Sequence, residues 1–300
     1  MIELLQNAKR PEKGICDMTG FRFRPKSNRV VPGFGLSMGI TITLLSLIVL
    51  IPLFSIFVVL SGIGWKEFIA DITDSAVRAT YSVSMTCALA AALIDSVFGL
   101  ILAWILVRYR FPGRRLLDGL IELPFALPTA VAGISLTTLY SETGWIGSFF
   151  HRFGIKISYT RAGITIALIF IGIPFVVRSV QPVLEKLDSR YEEAAMMLGA
   201  GRFKTFVKVI LPELLPALLT GFGLAFARGL GEYGSVVFIA GNIPYETQIT
   251  PLIIMNKLEQ FNYSSATAIA FVMIVFSFVV LFFINSLQFR VSKIAGGAGE

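Results

Sequence analysis

Six stretches of this chain are long and apolar enough to cross a lipid bilayer, and they decide most of what it can become. A span needs about 20 mostly apolar residues to cover roughly 30 Å of hydrocarbon. Such runs lie at Phe34 to Leu60, Thr80 to Val107, Leu117 to Tyr140, Gly163 to Val177, Leu214 to Ala240 and Ala266 to Leu287. In hydrocarbon every backbone N–H and C=O must be satisfied within the segment, so runs of this length are helices. The expected fold is all-α: a polytopic integral membrane protein with about six transmembrane helices. The composition, 55% hydrophobic against 15% charged, cannot cover a water-facing surface and excludes a soluble enzyme. One His and two Cys argue against a metal centre or a disulfide framework, so Cys16 and Cys87 are expected as free thiols.

The net charge of +7 is spread beside the apolar runs and does not gather into a nucleic-acid-binding patch. Residues 1–33 carry Lys9, Arg10, Lys13, Arg22, Arg24, Lys26 and Arg29 against Glu3, Glu12 and Asp17. By the Lys/Arg rule this N-terminal extension stays in the cytoplasm, and the first run (34–62) is too long for a signal peptide and is an uncleaved span. Alternation then puts two further basic loops in the cytoplasm, with Arg108, Arg110, Arg114 and Arg115 in one and Lys186, Arg190, Arg202, Lys204 and Lys208 in the other. The tail at 291–300 follows, beside Arg290 and with Lys293. The stretch 141–161 fits less well, because Arg152, Lys156 and Arg161 face the nominal outside. Its Trp145, Phe149 and Phe150 are compatible with an interfacial position or with a seventh, re-entrant element.

The loop between the fourth and fifth spans carries the most specific information. Ser189 with Glu192 three residues on fits a capping box, and Gly199 suits the left-handed residue that ends a helix. In the short helix between them Tyr191, Ala194, Ala195 and Leu198 share one face, small in its middle and bulky at its ends. A two-Ala centre admits close approach of another surface. After Gly201 the residues Phe203, Phe206, Val207 and Ile210 repeat the spacing, and Pro212 is placed to open the next helix. Spacing alone leaves docking to a partner and lying amphipathically in the membrane interface equally open.

Glu193-Ala194-Ala195, three residues, Gly199, nine residues and Val209-Ile210-Leu211-Pro212 resemble the EAA motif of ABC importer permeases, with Val209 as a conservative departure. The resemblance implies a type I ABC permease domain at 75–290 whose coupling helix, at 188–200, sits in a cleft of the ATP-hydrolysing subunit. Glu193, Ala194, Ala195, Gly199, Leu211 and Pro212 would then belong to the ATPase-coupling segment. The chain has no G-x-x-x-x-G-K-[ST] phosphate loop, so it is expected to bind no cofactor and not to be the enzyme. ATP and Mg would be used by the partner ATPase. The segments Arg110 to Arg115, Glu122 to Gly133, Gly172 to Arg178 and Phe226 to Asn242 resemble the sulfate/thiosulfate permease group, most of all its T-type subunit. Molybdate permeases share a weaker version. The implied assembly contains two copies of the ATPase, a second homologous permease and an extracytoplasmic sulfate-binding protein, in a bacterial inner membrane.

A tetrahedral dianion can be held by helix N-termini and small-residue approaches without a full counter-charge. Pro124, Pro128 and the adjacent Thr129 are therefore candidates for the translocation path: the prolines break the third span, as Pro174 breaks the fourth, or they only kink packed helices. Charges inside the apolar runs are Asp95, Glu122, Arg178, Arg228 and Glu232. Arg228 and Glu232, four apart on one face of the fifth span, read as a self-neutralising structural pair or as a contact for the anion. Arg178 reads as an anchor for the loop. The glycines of the fifth span and the phenylalanines of the last read first as packing and lipid-facing residues. An ion-coupled carrier would need gathered carboxylates, and an integral-membrane enzyme would need a nucleophile and base; neither grouping is evident.

Overall fold

A computed structural model describes residues 34–188 and 190–297. The N-terminal extension at 1–33 with Cys16, the Ser189 half of the expected capping box and the last three residues of the tail lie outside the described residues. Among the described residues the elements are all helical. They are α1 (Phe34–Ser61), α2 (Trp65–Thr73), α3 (Ser75–Arg108), α4 (Arg114–Ala126), α5 (Thr129–Tyr140), α6 (Gly147–His151), α7 (Arg161–Lys186), α8 (Arg190–Met197), α9 (Arg202–Thr205), α10 (Leu211–Leu230), α11 (Val236–Ala240), α12 (Thr250–Glu259) and α13 (Tyr263–Gly297), with a π-helical turn at Phe206–Ile210 between α9 and α10. Five helical segments are long and apolar enough to span a membrane, and the bent pair α4–α5 meets the same test only when its two helices are taken together.

The chain divides into two units, Met1–Leu53 and Phe54–Glu300. In the first, the described part of α1 is apolar and almost wholly exposed, with no buried residue. In the second, α3, α7 and α10 form the core, brought together by small residues in the way expected where no hydrophobic drive separates helix from lipid. A Cβ at Gly99 would lie 2.8 Å from Val176 Cβ, and one at Gly221 would lie 2.7 Å from Val176 Cα. Gly229 faces Ala88 of α3, and Gly223 faces Ile284 of α13. The fifth-span glycines that have neighbours are thus packing positions. Cys87 is buried and free. Phe278, Phe282 and Phe283 of α13 are exposed, whereas Phe271 packs edge-on against Phe57 and Phe68.

Several boundaries differ from the sequence expectation. The run expected as the third span is two helices bent by 112° at their junction. The break falls at Leu127–Pro128, because the ring of Pro128 drives Leu127 into extended backbone (φ −85°, ψ 137°), while Pro124 lies inside α4 without breaking it. Pro174 does not break the fourth span either: α7 runs on through it and through Pro182. The fifth span starts earlier and ends earlier than expected, running from Arg202 to Leu230. The separate amphipathic helix expected after Gly201 is in fact its first turns. Pro212, lacking an N–H and crowding the carbonyl of Lys208, is met by the π turn, in which Leu211 N–H donates back to Phe206 O. The stretch 141–161 holds only the five-residue α6 and is not a seventh span. Two helices, α2 and α12, appear where loops were expected.

Candidate functional site

The loop helix α8 is defined by backbone chemistry at both ends. Asp188 Oδ1 accepts the Arg190 N–H at 3.0 Å. At the other end Gly199 is left-handed (φ +78°), its N–H donating to Met196 O at 2.9 Å while Ala200 N–H donates to Ala195 O at 3.0 Å. That pair of bonds is a Schellman cap, as the glycine implied. Of the predicted face only Ala195 is buried; Tyr191, Ala194 and Leu198 are exposed, as are Glu193, Met197 and Gly199. Leu198 and Met197 are each 89% exposed on a helix that otherwise has little reason to show apolar side chains to water. Leu211 is half-buried and Pro212 exposed at the start of α10.

The two adjacent glutamates have different duties. Glu192 turns inward and pairs with Arg108, the last residue of α3, at 2.7 Å. Arg108 also donates to Leu187 O at 3.3 Å and stacks over the Trp104 ring at 5.8 Å. One guanidinium therefore fastens α8 to the end of α3, while Glu193 is left facing outward. Arg108 was visible in the sequence only as one of several basic residues after a span; its partner comes from tertiary structure.

A second cluster forms where α5 meets the turn after α10. Glu232 is not on a helical face with Arg228: α10 stops at Leu230, and Glu232 occupies the following turn. There it is 98% buried, accepts Ser235 N–H at 2.9 Å and Ser235 O–H at 3.0 Å, and still pairs with Arg228 at 2.5 Å. Arg228 is 38% exposed, so the cation has an open side and the anion does not. Thr129, at the N-terminus of α5, packs on this turn: a Cβ at Gly234 would collide with Thr129 Oγ1, and one at Gly133 would lie 2.8 Å from Ser235 Cα. The structure thus brings Pro128, Thr129, Arg228 and Glu232 into one neighbourhood and leaves Pro124 buried within α4.

Arg178 ties α4 to α7, and this function was missed. It reaches Asp118 at 3.0 Å, Glu122 at 2.6 Å and Gln181 Oε1 at 2.7 Å. Glu122 is therefore not isolated: it shares the Arg178 guanidinium with Asp118, one turn away on α4. Asp95, in α3, is fully buried against Gly172, and neither of its oxygens has a hydrogen-bond partner. No group of three or more His, Cys, Asp or Glu that could hold a metal occurs among the described residues.

Against known families, residues 95–293 match the binding-protein-dependent transport system inner membrane component. The chain belongs to this family. It is a multi-pass membrane protein of the ABC importer permease kind. Among curated relatives it is 51% identical to the sulfate transport system permease protein CysT of Salmonella typhimurium over 89% of this chain and 96% of that one. It is 50% identical to CysT of Escherichia coli, over 90% and 98%. Among solved structures it is similar in fold to a bacterial ABC transporter that imports the acidic polysaccharide alginate, with TM-score 0.73 and 17% identity over 87% of this chain and 97% of that one. It is also similar to the inward-facing methionine ABC transporter MetNI, with TM-score 0.55 over 72% and 95%.

Proposed function

We propose that this chain is the membrane permease subunit of an ATP-driven importer that moves sulfate, and thiosulfate with it, into the cytoplasm by alternating access. The observation that carries the substrate is the 51% identity to a sulfate transport permease along almost its whole length. In this reading an extracytoplasmic binding protein delivers the anion, a second homologous permease completes the path, and two copies of a cytoplasmic ATPase supply the work, using ATP and Mg that this chain does not itself hold. The basic loops and both termini lie on the ATPase side.

The shape of α8 supports its role as the coupling helix. It is short, capped at both ends and fastened to α3 through Arg108, so a force applied to its exposed face moves α3 and α10 together. Glu193, Ala194 and Gly199 form the contact surface, whereas Ala195, expected with them, is buried on the inner side of α8 and backs that surface; Leu211 and Pro212 pass displacement into α10 through the adjoining π turn, a helix irregularity suited to a shift of register. For the anion, Arg228 offers an open guanidinium already balanced by Glu232. The first N–H groups of α5, at Thr129 beside the Pro128 break, supply uncharged donors and the positive end of a helix. A doubly charged anion held by such a set is neutralised in part and can leave again.

The coupling role is tested by Gly199→Arg and Glu193→Arg in the assembled complex. Both variants are expected to insert and assemble, yet to lose sulfate uptake by at least about tenfold while the ATPase subunits still hydrolyse ATP. Wild-type uptake by both would contradict it.

A further inference from the structure

A groove of about 1140 Å³ runs along the outside of the core between α3 and the first turns of the α9–α10 segment. Its walls are apolar, with Val97, Leu100 and Ile101 of α3 facing Phe203 and Phe206. At its end on the α8 side stand Arg110 and Arg202, from two different segments of the chain. Both are exposed, and neither has a carboxylate partner among the described residues. From Ser96 to Tyr109 helix α3 rises about 20 Å, which is close to the thickness of one leaflet with its headgroup, roughly 20 Å. Val97 and Phe203 are 57% and 82% exposed, so the groove opens to what surrounds the helices.

An apolar channel one leaflet long, ending in two unpaired guanidinium groups, has the charge pattern of an acyl chain beneath a phosphate. We infer that this groove binds an anionic phospholipid of the surrounding membrane, its acyl chain along Val97, Leu100 and Ile101 and its phosphate between Arg110 and Arg202. Arginine suits this task because its planar fork bonds a phosphate through two N–H groups at once. Tyr109, at the mouth, belongs to the aromatic belt found at the headgroup level. Basic pockets between helices at a membrane face are the usual setting for such headgroups. Arg202 is also the residue that begins the fifth span directly after α8, so the bound lipid bridges the end of α3 and the segment that follows the loop helix. The site rests on the geometry of this chain in a membrane and does not depend on the identity of the transported anion.

The test is photolabelling of the assembled complex in phosphatidylcholine vesicles doped with phosphatidylglycerol carrying a diazirine on its acyl chain, with adducts mapped by mass spectrometry. Adducts are expected on the α3 peptide spanning residues 97–105. They should fall at least about tenfold in the Arg110→Gln/Arg202→Gln double variant, since each basic residue near the surface adds several-fold to anionic-lipid binding. Leu100→Trp, which fills the groove and leaves both charges in place, should lose them as well. Unlabelled phosphatidylglycerol should compete and inorganic phosphate should not. Equal labelling by a diazirine phosphatidylcholine, labelling unchanged in the double variant, or an Ile101→Cys that cross-links to the second permease instead of taking the lipid adduct would each overturn the inference.

Discussion

At the scale of single residues, the fold is decided by contacts that leave no spare volume. Asp95 has no hydrogen-bond partner for its carboxyl group and lies so close to Gly172 that an added Cβ would meet its Oδ2. Gly172→Ala should therefore destabilise the permease by about 1–3 kcal/mol, as overpacking does, read as a lowered melting temperature of the purified complex. Asp95→Ala should rescue it, because the same substitution clears the space and removes an unsatisfied buried group. Failure of the rescue would mean that the strain lies elsewhere. Some of this scale was legible beforehand: Gly199 as a left-handed cap follows from its residue type and position. The placement of Glu232 did not follow, because spacing of four implies a shared face only while the helix continues, and α10 has already ended at Leu230.

Among the elements, the α4–α5 break, the π turn and the loop helix are the departures from regular helix. Pro128 marks the break, but which proline breaks a helix and which is absorbed, as Pro124, Pro174 and Pro182 are, depends on neighbours that a single sequence does not display. Gly133→Val should prevent α5 from seating on the turn at Ser235 and abolish sulfate uptake, with reduced complex recovery on purification as the accompanying sign. Normal uptake would show that this contact is dispensable. Arg108→Gln removes the fastening of α8 and should raise hydrogen exchange across residues 190–197 severalfold, because local opening follows the loss of tertiary contacts. In the loop at 141–161, Lys156 beside Glu142 (3.1 Å) holds that carboxyl below its ordinary range by hydrogen bonding and charge. A depressed folded-state value adds stability only above the unfolded one and loses it as pH falls below about 4. Any difference in melting temperature between the wild type and Glu142→Gln should thus be small near neutrality, as for an exposed pair, and vanish in acid.

For the whole molecule, the membrane class and five of the six expected spans were readable from apolar run length alone, the third run being the bent pair α4–α5, and the loop pattern from Glu193 to Pro212 named the class of machine. The packing of α3, α7 and α10 was not readable, since alanine and glycine stripes do not state which helix they face. Nor were the short α2 and α12, neither long nor apolar enough to announce a span, although Trp65, Phe68, Ile69 and Ile72 of α2 fall at the i, i+3, i+4, i+7 spacing of an amphipathic helix. Arg178 illustrates the gap: an apparent loop anchor proves to be the clamp joining α4 to α7. Coupling of sulfate entry to ATP hydrolysis in a partner subunit is tested by reconstituting the complex in liposomes with the binding protein and measuring ATP hydrolysis and sulfate accumulation together, with molybdate as competitor. Sulfate should stimulate hydrolysis and accumulate inside, with molybdate competing weakly. Sulfate entry without associated ATPase activity, or stimulation by molybdate alone, would rule out a sulfate importer driven by a partner ATPase.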